Sequence, residues 1–216
     1  MNNKLKSGGG LVGSGSFGCV FHPALKCKNQ SSVHNNMVSK VFFSDGATKE
    51  AKEEIKIDMM IKDIKGYEKW ANIWTNNCLP DKYNSIIKKE PEIDKCLNEN
   101  GLSVKEFDKN RHMLQGTYGG ITFSEVFLKH FKSDTYSNKK SFIKKFLYMM
   151  KIMKPLFIGL IEMNKNNISH NDIKSDNIMV HSDECKYIDF GLAAKNSNQK
   201  FFKKRSMSEF ICDRIS

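Results

Sequence analysis

Short apolar runs separated by turn residues fill the first part of the chain, and longer helical stripes fill the second. Leu11-Val12 and Cys19-Val20-Phe21 flank a glycine-rich turn, which predicts strand, loop and strand. The β-branched and aromatic run 37–43 predicts a third strand. From residue 47 to 64 the period changes: Ile57, Met60, Ile61 and Ile64 share one stripe, with Lys and Glu elsewhere, so a helix is expected. Ser44 or Asp45 is the expected cap. Residues 70–79 read as a further strand. Residues 80–110 are polar and charged and are broken by Pro91 and by Asn98-Glu99-Asn100-Gly101, so they read as a helical or looped insertion. Residues 111–118 return to strand before Gly119-Gly120. Helices fit 123–131 and 139–164, the second bent at Pro155. Strand–turn–strand signals occupy 178–188. Strands first and helices second, joined by a Gly-Gly link, predict a bilobal α+β protein.

Composition narrows the class. A chain of 216 residues with 39% hydrophobic content can bury a real core. The formal charge of +11 comes almost wholly from Lys and reads as a solvated surface; no nucleic-acid motif accompanies it, so nucleic acid is not an expected partner. The six cysteines, Cys19, Cys27, Cys78, Cys96, Cys185 and Cys212, form no C-x-x-C pair. Neither zinc nor a disulfide framework is expected, and a reducing compartment fits best. The N-terminus has no apolar signal core, and the most apolar stretch, 146–163, is interrupted by Lys151, Lys154, Pro155 and Glu162. A soluble, cytoplasmic, non-secreted protein with no membrane partner is therefore expected.

Three segments carry chemistry. Gly13-Ser14-Gly15-Ser16-Phe17-Gly18-Cys19-Val20 fits G-x-G-x-x-G-x-V, whose glycines let backbone N–H groups approach phosphates. A dinucleotide fold needs a helix directly after the glycines, whereas Cys19-Val20-Phe21 followed by Pro23 favours a strand. Lys40, in Val38-Ser39-Lys40-Val41, shares a strand face with Val38 and Phe42, where an ammonium is costly unless it meets an anion. Glu50, Glu53 and Glu54 compete as its helix partner. Glu54 is preferred because Ile57, Ile61 and Ile64 lie on its side, with Glu53 close behind. Last comes His170-Asn171-Asp172-Ile173-Lys174-Ser175-Asp176-Asn177, followed by Asp189-Phe190-Gly191. These groups suit Mg²⁺ and ATP: Asp172 orients a hydroxyl, Lys174 neutralises the transferring phosphoryl group, and Asn177 and Asp189 hold metal.

Together these segments, in this order, resemble eukaryotic-type serine/threonine protein kinases, with Lys174 closer to the serine/threonine than the tyrosine class. Tyr118-Gly119-Gly120-Ile121, the insertion and the Asn/Lys-rich composition resemble kinases of large DNA viruses, which would place the protein in host cytoplasm or virion. The resemblance implies a small antiparallel-sheet N-lobe (1–118), a truncated helical C-lobe (119–194), and a basic tail or short activation segment (195–216). It implies a nucleotide and a protein substrate as partners, Lys40 on the α- and β-phosphates, and a hinge over 115–118. Asn171 stands where the family has an Arg that meets a phosphorylated activation loop, the segment before Gly119 is long, and no A-P-E follows Gly191. The departures leave two alternatives beside protein phosphorylation: a catalytically weak nucleotide-binding scaffold, or a small-molecule kinase of kinase-like fold.

Overall fold

The computed structural model describes residues 10–15, 18–131 and 138–195. Strand β1 (Gly10–Gly15) and strand β2 (Gly18–His22) form an antiparallel hairpin closed at Gly15 and Gly18. Strand β3 (Met37–Phe42) pairs β2 with Lys40 opposite Val20. Strands β4 (Trp74–Cys78) and β5 (His112–Thr117) complete an antiparallel sheet in the order β1-β2-β3-β5-β4. The expected strand over 70–79 is thus shorter. A 3₁₀ turn at Tyr67–Lys69 precedes it and leaves Trp70 buried rather than in the ladder.

Strand alternation gives the sheet two unlike faces. Helix α1 (Ala47–Lys62) covers one, where Phe42 and Leu114 pack with Ala47 and Ala51. The expected side-chain cap is absent: Gly46 is the N-cap residue, and the Ser44 hydroxyl accepts from Gly46 N and donates to Glu50 instead. The other face is covered by the insertion, which is helical: α2 (Tyr83–Ile86), α3 (Ile93–Glu99) and α4 (Val104–Asn110). Its Ile93, Leu97 and Phe107 pack on Phe21, Val41 and Met113. The apolar residues that do this are few and spaced by short helices, so no long stripe advertised them. Ser103-x-x-Glu106 opens α4 with a reciprocal capping box.

The insertion is also tied covalently. Cys19 of β2 is bonded to Cys96 of α3, and Cys27 to Cys78 of β4, which corrects the expectation that no disulfide would form. The partners are 77 and 51 residues apart, a separation that hides a pairing from any local motif. The Leu11 N–H donates to the Glu92 carboxylate, and Asn100 Nδ2 lies 3.4 Å from Ser14 Oγ. The glycine-rich hairpin is therefore held from behind by α3.

After the Gly119-Gly120 link come strand β6 (Ile121–Thr122), helix α5 (Phe123–His130), begun by a Thr122/Glu125 capping box, and helix α6 (Lys139–Lys165), begun by Asn138. Helix α6 runs on through Pro155. Strands β7 (Ile168–Ser169), β8 (Ile178–His181) and β9 (Glu184–Tyr187) follow, and β10 (Ala194–Lys195) pairs back on β7. Strand β8 lies between β6 and β9. A further core joins Ile61 of α1, Ile64 just beyond the helix, Trp70, Ile152 and Leu156 of α6, Tyr187 and Phe190. Because α1 contributes to both cores, it links the sheet to the helical part. None of the described helices is long and apolar enough to cross a membrane. The tail from residue 196 lies outside the described residues.

Removing the hairpin tie should be measurable. Cys96→Ser is expected to lower unfolding free energy by roughly 2–4 kcal/mol in urea titrations without reductant. The difference from wild type should shrink once both proteins are titrated with dithiothreitol. Equal midpoints without reductant would show that the bond does not form.

Candidate active site

The cleft between the sheet and the helical part encloses about 640 Å³, lined by Gly13, Ser14 and Gly18 above and by Asp172, Asn177 and Asp189 below. That is within the usual range for a ligand site of nucleotide size. Gly18 has φ +145°, and a Cβ there would sit 2.2 Å from the Val41 carbonyl oxygen, so only glycine closes the hairpin this way. Gly15 is its pairing partner, whereas Ser16 and Phe17, also expected at this site, lie outside the described residues. Val20 faces the cleft beside Lys40.

Strand register points Lys40 at α1. Its Nζ lies 2.8 Å from Glu54 Oε2, 3.1 Å from Oε1 and 3.5 Å from Asp189 Oδ1. Glu54 is buried, while Glu53 is largely exposed and faces Lys49 at 3.9 Å. Glu50 accepts from Ser44. Geometry thus separates three glutamates that spacing alone left in competition. Burial works against the Lys40 ammonium, but Glu54 and then Asp189 outweigh it, and its pKa is raised. Burial also pushes the Glu54 carboxyl up, against the pull of Lys40. Two acids share one base at the floor of the cleft, so the cluster is suited to take up further cations or donors.

Below the sheet, the chain turns sharply at Asn171 (φ 63°), a conformation that Asn tolerates better than most residues. Asp172 Oδ2 accepts from Lys174 Nζ at 2.8 Å and from Asn177 Nδ2 at 2.7 Å. Asn177 Nδ2 also bonds the Asp172 carbonyl at 2.9 Å, which pins the loop to its own 3₁₀ turn. Lys174, then Asn177, hold the Asp172 carboxyl below its ordinary range. It therefore stays ionised, and suits orienting a hydroxyl and receiving its proton only once the oxygen has begun to react. The Ile188 N–H donates to the Asn177 carbonyl at 3.0 Å, joining this loop to the segment that carries Asp189. Asp189 itself has φ 57°, an uncommon conformation for a non-glycine residue.

His170 is the buttress. It is buried, packs against the Phe190 ring at 4.7 Å, and has Nε2 3.1 Å from the Ile188 carbonyl. The Asp172 N–H donates to its Nδ1 at 3.4 Å. These contacts describe a neutral ring with the proton on Nε2. They hold Asp172 and Ile188 in fixed relation.

The nucleobase-sized end of the cleft is walled by Val20, Val38, Trp74 and Met179, with Thr117, Tyr118 and Gly119 at its edge. Gln115, expected in the hinge, is elsewhere. It is fully buried and bonds Leu25 O and Asn76, so of the expected stretch 115–118 only Thr117 and Tyr118 line the cleft. Two residues escaped the sequence reading. Trp74 donates its indole N–H to Glu54 at 2.6 Å, and Asp58 accepts from Trp74 N at 2.7 Å. The only sequence signal was that Asp58 falls one turn after Glu54 inside a stripe of isoleucines.

Burial lowers the His170 pKa. The stability carried by its neutral form is complete above about pH 6.5 and is lost as pH falls toward the lowered folded value. His170→Phe should therefore show a flatter loss of unfolding free energy than wild type between about pH 7.5 and about pH 5.5. Parallel curves for the two proteins would remove this role.

Residues 120–213 match the family model of the protein kinase domain. No curated protein matches the chain. The match takes in Asp172, Lys174, Asn177 and Asp189; the glycine-rich hairpin, Lys40 and Glu54 precede it and reach the same cleft through the fold. Over this C-terminal stretch, less than half of its length, the chain is similar to protein kinase domains, a similarity that supports an α+β kinase-like fold and phosphoryl transfer to proteins in general.

Proposed function

We propose that the chain transfers the γ-phosphoryl group of ATP to Ser or Thr hydroxyls of protein substrates, with Mg²⁺ as cofactor. The observation that carries this reading is the convergence of Lys40, Glu54, Asp172, Lys174, Asn177 and Asp189, from distant segments, on one cleft. Residues 1–118 and 119–194 serve as its two lobes, with the nucleotide between them.

In this reading the base lies in the apolar slot between Val20, Val38 and Met179, and hairpin N–H groups cover the phosphates. Lys40, oriented by Glu54, meets the α- and β-phosphates. The donor set suits a hard cation: Asp189 and the Asn177 side-chain oxygen are oxygen ligands. Among the described residues no three His, Cys, Asp or Glu side chains form a metal cage, and in this reading phosphate oxygens would complete the ligand set. When bound, the ion would neutralise charge that develops on the phosphates.

Asp172 accepts the hydrogen bond of the substrate hydroxyl and aims its oxygen at the γ-phosphorus. The new O–P bond forms as the bond to the bridging oxygen breaks, ADP leaves, and the hydroxyl proton passes to Asp172. Lys174, 2.8 Å from Asp172, stands where it can stabilise the transferring group. The resemblance of Lys174 to the serine/threonine class is what supports Ser and Thr as the proposed acceptors.

Incubation with labelled ATP, Mg²⁺ and generic basic or acidic proteins should give label on Ser or Thr. Asp172→Asn is expected to lower the rate by roughly 10²–10⁴-fold. Equal labelling by both proteins would sink the reading.

A further inference from the structure

Trp74 stands at the edge of the sheet, yet both of its N–H groups point at α1. The ladder between β4 and β5 is irregular here: Trp74 pairs with Gly116, and Asn76, not Thr75, pairs with Gln115. Trp74 N donates to Asp58 Oδ2 at 2.7 Å, and its indole Nε1 donates to Glu54 Oε1 at 2.6 Å. Glu54 and Asp58 are one helical turn apart on the same face, and are 4% and 1% exposed. One strand residue thus grips two carboxylates on successive turns. The ring also needs the space it occupies: a Cβ on Gly116 would come 3.1 Å from Trp74 Cε3 and 2.9 Å from the Ile73 carbonyl oxygen.

We propose that Trp74 and Asp58 are positioning residues that lock Glu54 onto Lys40, so that this ion pair is built into the resting fold. The inference rests on the phosphoryl-transfer reading above and deepens it. Without the indole, Glu54 Oε1 would keep only the longer contact from Lys40, at 3.1 Å, and the carboxylate would be free to rotate. Lys40 could then drift toward Asp189, which already lies 3.5 Å away. Asp58 fastens the strand that carries the indole. Its other oxygen, Oδ1, has no hydrogen-bond partner among the described residues, so the fastening rests on one acceptor oxygen, which a carboxamide retains. Burial pushes the Asp58 carboxyl well up, in agreement with a group that acts as an acceptor rather than a charge.

Two measurements on the full chain test this. The first needs no activity. The protein has two tryptophans, so ¹⁵N-labelled protein gives two indole resonances, and Trp74→Phe identifies which one belongs to Trp74. That resonance should move in Glu54→Gln and stay in place in the Glu53→Gln control; a resonance indifferent to Glu54→Gln overturns the proposal. The second is a double-mutant cycle on kcat and on KM for ATP. Trp74→Phe is expected to lower kcat about tenfold with KM changed less than about threefold, and to add nothing in a Glu54→Gln background. Asp58→Asn should keep activity and Asp58→Leu should lose it. Wild-type rates in Trp74→Phe, or losses that multiply with those of Glu54→Gln, overturn the proposal. If wild type transfers no phosphate while the indole shift appears, the functional reading fails and the lock stands.

Discussion

The structure turns on one largely buried ammonium. Lys40 leaves water at the base of the cleft and is met there by Glu54 and Asp189, one from the helix behind the sheet and one from the loop beneath it. Removing charges from water costs several kcal/mol per ion, so such a cluster persists only when every partner is held in place. Much of the remaining architecture does that holding. Strand β3 is central in the sheet, which fixes the direction of the Lys40 side chain. Helix α1 is packed from both cores, which fixes Glu54. Phe190 is buried beside His170, which fixes the residue before it, Asp189.

The same economy explains the insertion. A sheet with α1 on one face would leave Phe21, Val41 and Met113 open to water on the other. The three short helices close that face, and burying such side chains is worth about 1.5–3 kcal/mol each. Their disulfide to Cys19 also steadies the strand that follows the glycine turn. The segment that looked least like structure in the sequence is therefore what backs the glycine-rich end of the cleft.

Legibility followed the range of each interaction. The loop residues Asp172, Lys174 and Asn177 lie within six positions of one another, and they meet through one turn and one hydrogen-bonded carboxylate. Lys40 was legible because a cation on an apolar strand face needs an anion. Which anion was legible only as a preference for Glu54 over Glu53 and Glu50, since the three differ by helical angle alone until β4 and β3 are placed against α1. Trp74 was read as part of a strand, with no signal for its role, because its bonds to Glu54 and Asp58 depend on a ladder irregularity that no local pattern records. Cys19 and Cys27 found partners far along the chain for the same reason.

The sequence by itself determined the chemical groups and the local frames that present them: a glycine turn between strands, a lysine on an apolar strand, a polar loop ahead of Asp189. Periodicity and short motifs act within a few residues, and so survive without knowledge of the fold. Only the tertiary structure decided which glutamate meets Lys40, what covers the far face of the sheet, and how Trp74 and His170 hold the site. Those outcomes depend on contacts between residues far apart in the chain, where packing selects one partner from several that local chemistry treats alike.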